Sequence, residues 1–139
     1  MIKENKRKME AYFRKKIGEE LGHFDKFSEK SDYKNPGESV YYYPKEGSLH
    51  LFIILVPNLK DDAEFTIEIG WSKKKRFPEL GMKPWPKSPT DDDIYELDEY
   101  VCRLSQFDQN LMWFNANELD KAWERLKSLG IPFIEKVGQ

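Results

Sequence analysis

Few side chains in this sequence are of the types that carry out proton transfer, and His50 is the one whose surroundings favour that chemistry. The segment around it is typical of a strand, and the next strand-like segment carries Glu64 and Glu68 on one face. In one hairpin register His50 shares that face, and a carboxylate there could orient the imidazole for acid–base work. In the register one residue off, His50 faces Phe65 and Ile67 instead. The sequence leaves both registers open.

The other groups that could react are isolated in the sequence. His23 falls at the end of a predicted helix, where a histidine interacts favourably with the helix dipole. Neither His23 nor His50 has metal-ligand spacing with Cys102, which we predict to be a small buried side chain in a strand. The sequence contains no glycine-rich phosphate loop, serine nucleophile elbow or His-Glu-x-x-His helix. We therefore expect no metal and no cofactor.

The stretch that most resembles a binding surface is "GWSKKKRFPELGMKPWPKSP", residues 70 to 89. Four consecutive cations, four prolines and two tryptophans lie in it. Prolines restrict the backbone, and rigid aromatic side chains beside arginine are typical anchors of interfaces. With the two sheet residues above, the candidate binding residues are Trp71, Lys73, Lys74, Lys75, Arg76, Trp85, His50 and Glu68.

Three interpretations of this loop stay open. In the first, Trp85 packs down onto the sheet as part of a lid, and the cations at 73–76 face water; we expect this burial of Trp85. In the second, the loop binds another protein. In the third, the cations bind the phosphates of single-stranded nucleic acid and the bases stack on Trp71 or Trp85. The acidic stretch "DDDIYELDE" at 91–99 carries six carboxylates, so the basic and acidic stretches could lie against each other.

The hydrophobic patterns predict the elements that position these residues. In the first segment apolar residues recur every four positions, which predicts an amphipathic helix that ends near Gly22. "SVYYYP", "LHLFIILV" and "AEFTIEIGW" follow as strands. The second of these is apolar on both faces, and the third alternates, so we expect the third to have one buried and one wet face. "TDDD" predicts a short helical turn with Thr90 as its cap.

The last part of the chain predicts two more strands and a second helix. "YVCRLSQF" reads as a strand, with "LMWF" at 111–114 as its partner after the "DQN" turn. Asn117 is expected to cap a helix that Gly130 closes before Pro132, and "IPFIEKV" then adds an extended edge strand. This order predicts a single α+β domain over residues 1–139. Its antiparallel sheet has four to five strands and is flanked by an N-terminal and a C-terminal helix.

The composition indicates a well-packed core inside a densely charged surface. Of the 139 residues, 35% are charged and 14% are aromatic, and the formal net charge is −2. That balance gives no overall attraction to nucleic acid, so such binding would need a local patch. The N-terminus has no apolar leader and no run is long enough to span a bilayer. We therefore expect a cytoplasmic protein without membrane contact.

Three segments, "FTIEIGWS", "CRLSQF" and "LKSLGIPFIEKV", together resemble small stand-alone bacterial α+β proteins that are classed among domains of unknown function. The resemblance implies the fold class and a bacterial source, and it carries no functional residue over. Some proteins that look like this neutralise toxins as immunity proteins, so the resemblance also favours a protein partner.

Three functions are consistent with these patterns, and we rank them. The first is a non-catalytic protein, immunity-like or regulatory, that acts by binding another protein. The alternative is a single-stranded nucleic-acid-binding module that uses the basic residues 73–76. The third is an enzyme that uses His50 and Glu68.

Overall fold

The centre of the protein is an antiparallel sheet with six strands among the residues that the structure describes. The structure is a computed structural model, and it describes residues 3–21, 28–29, 39–44, 49–61, 63–74, 89–108 and 113–138. The strands lie in the order β1-β2-β3-β4-β5, and β6 pairs with β4 beyond the end of β5. They are β1 (Ser28–Glu29), β2 (Ser39–Pro44), β3 (His50–Pro57), β4 (Glu64–Ser72), β5 (Glu99–Arg103) and β6 (Phe114–Asn115). The predicted antiparallel α+β class is confirmed.

Both helical segments pack on one face of this sheet, which we call the helix-covered face. The N-terminal helix, α1, spans Lys3–Glu20. The C-terminal segment consists of α2 (Leu119–Arg125), a π turn (Leu126–Gly130), α3 (Ile131–Glu135) and a 3₁₀ turn (Lys136–Gly138). Apolar side chains from both segments join those of the sheet in one buried cluster. Buried members of this cluster include Phe13, Ile17, Phe65, Ile67, Ile69, Trp123 and Leu126.

Polar side chains also join α1 to α2. Glu20 accepts a hydrogen bond of 2.7 Å from the indole nitrogen of Trp123 and one of 2.9 Å from Lys127 Nζ. The bond from Lys127 holds the pKa of Glu20 below its usual value. The hydroxyl of Tyr12 donates to Asp120, and burial together with this carboxylate raises the pKa of Tyr12. These contacts fix the relative position of two helices that are distant in sequence.

The C-terminal segment is helical, although the sequence predicted that Gly130 would end the helix and that an extended edge strand would follow. The amide of Ile131 donates to the carbonyl of Leu126, which is the hydrogen bond of a π turn. This wider turn precedes Pro132, which has no amide hydrogen and whose ring clashes with the preceding turn of a regular α-helix. Ile131 and the apolar residues after Pro132 are buried in the core. That burial outweighs the local stop signals.

The strands near the end of the sheet are shorter than predicted and paired differently. β5 stops at Arg103, where a 3₁₀ turn at Leu104–Gln106 begins. β6 does not pair with β5, because Phe114 lies opposite Phe65 of β4. The two rings pack with centroids 5.7 Å apart, so the buried aromatic pair sets this register.

Two helix starts also differ from the prediction. The turn at Asp92–Glu96 is capped by Asp91, whose side chain accepts a hydrogen bond from a backbone amide inside the turn, and not by Thr90. Before α2, the side chain of Asn115 accepts from the amide of Asn117, so Asn117 belongs to a preceding turn and does not cap the helix. In both places the side chain that accepts the hydrogen bond belongs to a residue one or two positions away in sequence from the one that the pattern indicated.

Candidate functional site

The sheet face opposite the helices is buried too, although the sequence predicted that its part of β4 would be wet. On this face, which we call the polar face, His50 and Glu68 are each 8% exposed, and Thr66 and Ser72 are not exposed at all. β3 is apolar on both faces and shares both with β4, so apolar side chains that favour burial lie beside the polar ones on this face. Among the described side chains, four apolar ones form a second buried cluster on the polar face: Val40, Phe52, Ile54 and Val101.

The register of β3 against β4 places His50 and Glu68 on the same face without contact between them. His50 lies opposite Ser72, and Glu68 lies opposite Ile54. Four residues along a strand correspond to a separation of about 13 Å. Glu68 Oε2 instead lies 3.4 Å from Arg103 Nε on the neighbouring strand. The observed register is the one that shares the face, but a carboxylate at position 68 does not orient the His50 imidazole.

Residues 91–98, which we call the acidic turn, lie beside the C-terminal end of β4, where the amide of Lys73 donates to the carbonyl of Asp98. Asp91 caps the turn, and the side chain of Ile94 anchors it in the core without any exposed surface. The ring of Tyr95 stacks on Trp71 with centroids 5.6 Å apart and an interplanar angle of 11°. The exposed carboxylates of the turn are Asp92, Asp93, Glu96 and Asp98.

Trp71 is a packing residue in this structure. Its side chain is fully buried, and it stacks on Tyr100 as well as on Tyr95, at 5.1 Å between centroids. Its indole nitrogen donates to the carbonyl of Leu97 at 3.3 Å. The ring of Trp71 is therefore not accessible to a ligand. It packs against the acidic turn through its contacts with Tyr95 and Leu97.

The first two cations of the basic run both contact the acidic turn, and Lys73 makes the closer contacts. Lys73 Nζ donates to the carbonyl of Tyr95 at 2.8 Å, and the amide of Lys73 donates to the carbonyl of Asp98, also at 2.8 Å. Lys74 Nζ lies 3.7 Å from Asp98 Oδ2, an exposed pair that contributes little stability. The basic and acidic stretches thus lie against each other where the structure describes them.

The remaining candidates from the sequence lie outside the described residues. These are Lys75 and Arg76 of the basic run, Trp85 of the proline-rich loop, and His23 after α1. The expected burial of Trp85 therefore stays a prediction.

A second group of charged and aromatic side chains was not indicated by the sequence. Arg103 ends β5 opposite Glu68, and its guanidinium carbon lies 5.9 Å from the ring centroid of Trp113. The Arg103 side chain is 45% exposed and that of Glu68 is 11% exposed. Because the grouping depends on how β5 pairs with β4, no local pattern in the sequence indicates it.

The buried reactive groups of the helix-covered face are protonated at neutral pH. Cys102 is buried, as predicted, and burial with the Glu68 carboxylate nearby raises the pKa of its thiol to about 12. Burial likewise raises the pKa of Tyr100 beside it. Neither group is activated as a nucleophile.

The described ranges contain no group of three or more His, Cys, Asp or Glu residues that could hold a metal ion. The helices in this same part of the chain include none with the length and apolar character needed to cross a membrane.

Comparisons with known proteins give no indication of the function of this chain. No protein-family model, no curated protein and no solved structure matches the chain. The resemblance to small bacterial α+β proteins therefore stays an expectation from the sequence.

Proposed function

We propose that this protein acts by binding another protein, and that the acidic turn is its contact surface. The observation that carries the proposal is the way the turn is held: its carboxylates point to solvent, while Ile94, Tyr95 and Lys73 fix its backbone to the core. A surface that is rigid before binding loses little conformational entropy on binding. We infer a partner whose matching surface carries lysine and arginine, because complementary charge speeds encounter and fixes orientation.

The nucleic-acid alternative receives less support from the described residues. Lys73 and Lys74 make their contacts with the acidic turn, and the turn itself repels phosphates. Trp71, one of the two rings proposed for base stacking, is buried. Binding of single strands would rest on residues beyond Lys74.

The enzyme alternative depended on a carboxylate close enough to orient His50, and Glu68 is not that close. Acid–base catalysis needs the base within hydrogen-bond reach of its partner groups. The separation of roughly 13 Å between the positions of His50 and Glu68 exceeds that reach several-fold.

The proposal is tested by reversing charge on the acidic turn. The partner is first identified by photo-crosslinking from a residue placed at position 96 in extracts of the source cells, and is then purified. We expect the triple variant Asp92→Lys, Asp93→Lys, Glu96→Lys to bind it at least about 30-fold more weakly, as expected for loss of an interface's main contacts. Association of the unaltered protein should also slow as salt is raised.

A matched control changes the net charge equally at other exposed carboxylates: Glu19→Lys, Glu118→Lys and Glu124→Lys. This control should bind within a few-fold of the unaltered protein. Equal losses in the two triple variants would contradict the proposal, because net charge alone would then explain the effect. Micromolar or tighter binding of a labelled single-stranded nucleic acid at physiological salt would favour the nucleic-acid alternative instead.

A further inference from the structure

The side chain of Arg103 is oriented by two neighbours at the edge of the polar face. Glu68, which is 8% exposed as a residue, lies 3.4 Å from Arg103 Nε through its Oε2 atom. On the other side, the ring of Trp113 lies within cation–π distance, at 5.9 Å from the guanidinium carbon. A nearly buried carboxylate and an aromatic ring therefore fix the plane of the guanidinium.

The contact through Nε leaves the outer fork of the guanidinium unused. Neither Nη1 nor Nη2 of Arg103 donates a hydrogen bond to any residue that the structure describes. The Arg103 side chain as a whole is 45% exposed. Two parallel N–H donors in this geometry match the two oxygens of a carboxylate or phosphate.

We infer that Arg103 is a receptor for a carboxylate of a partner protein, such as an aspartate or glutamate side chain. The charge balance favours a carboxylate over a phosphate, because Glu68 already neutralises Arg103 and repels a doubly charged ligand more strongly than a singly charged one. Arginine and tryptophan are also the residue types that dominate binding energy at protein interfaces. This site is separate from the acidic turn and does not depend on it, since it binds the opposite charge.

The test uses small probes, so it does not require the partner. The unaltered protein, labelled with ¹⁵N in its arginine side chains, is titrated with a capped tetraglutamate peptide, with acetate and with inorganic phosphate. We expect saturable shifts of the Arg103 side-chain resonances with the peptide, weaker ones with acetate, and the weakest with phosphate. Arg125, exposed on α2, provides the internal reference and should show no saturable shift.

Variants then separate geometry from charge. Arg103→Lys keeps the cation but removes the fork, so we expect about tenfold weaker peptide binding, followed at the indole resonance of Trp113. Arg125→Lys should leave peptide binding unchanged, and thermal melts establish that both variants are folded. The inference is overturned by equal shifts at Arg103 and Arg125, by the absence of saturation at Arg103, or by phosphate binding more tightly than the peptide.

Discussion

The two faces of the sheet are both buried, but they differ in what they bury. The helix-covered face is almost wholly apolar, and its aromatic rings pack edge-on or stacked, as Phe13 does against Phe65 and Trp123. The polar face interleaves His50, Thr66, Glu68 and Ser72 with its apolar side chains. Polar alternation in one strand therefore does not establish exposure, because the polar residues of β4 share their face with apolar residues that are themselves buried.

The largest expected effect compares a phenylalanine from each face. Phe65 on the helix-covered face and Phe52 on the polar face both have no exposed surface. We expect Phe65→Ala and Phe52→Ala each to lower the free energy of unfolding by about 3 to 5 kcal/mol. Chemical denaturation measures both, with Leu59→Ala as control, because Leu59 is 91% exposed and its loss should change stability by less than about 0.5 kcal/mol. A Phe52→Ala cost as small as the control's would show that the polar face is wet.

The second prediction concerns how closely β5 approaches β4 on the polar face. A Cβ atom on Gly70 would collide with the carbonyl oxygen of Tyr100 and lie 2.9 Å from the Cα atom of Val101. We expect Gly70→Ala to lower the free energy of unfolding by about 1 to 3 kcal/mol, because backbone cannot move aside as a flexible side chain does.

Gly18 supplies the matched control for that change. It lies within α1, and a Cβ atom there meets nothing within 4 Å. Gly18→Ala should therefore raise the free energy of unfolding by about 0.5 to 1 kcal/mol. If both alanine variants change stability in the same direction in thermal melts, the close strand approach at Gly70 is not the cause.

The smallest expected effect probes the polar character of the polar face itself. The Thr66 hydroxyl is buried and makes no hydrogen bond with any described residue. Thr66→Val keeps the shape and removes a buried polar atom, so we expect stability to be unchanged or to rise by up to about 1 kcal/mol. In contrast, Ser72 Oγ accepts a hydrogen bond of 3.2 Å from the amide of Lys74, and Ser72→Ala should cost about 0.5 to 1.5 kcal/mol. A loss on Thr66→Val larger than that on Ser72→Ala would mean that the threonine hydroxyl has a stabilising partner.

Sequence periodicity was sufficient to predict the type and bounds of those helices and strands whose burial follows from the local pattern. α1, β2, β3 and β4 have nearly the predicted bounds, because their apolar residues repeat at helical or strand spacing. The burial of Thr66 and Glu68 was missed, although the apolar character of β3 on both faces was the signal for it. The C-terminal helix continues through Gly130 and Pro132 because long-range burial of the segment outweighs local propensity.

The contacts within the candidate sites were harder to predict than the helices and strands, because they depend on pairing between segments that are distant in sequence. Opposite charges left a contact between the basic and acidic stretches open, but the lid interpretation placed Lys73 in water, and its hydrogen bond to the carbonyl of Tyr95 was not predicted. Arg103 meets Glu68 and Trp113 only because β5 pairs with β4 in one register, and a single sequence does not specify that register.

The polar contacts between the first and last helices have a consequence for how the chain folds during synthesis. Glu20 is separated from Trp123 and Lys127 by 103 and 107 residues. At ribosomal rates, synthesis of that length takes about 5 to 20 seconds. Throughout this interval the apolar stripe of α1 has no C-terminal helix to pack against. Completion of the helix layer therefore waits until the C-terminal segment has been made, and the high sequence separation of its contacts predicts slow folding.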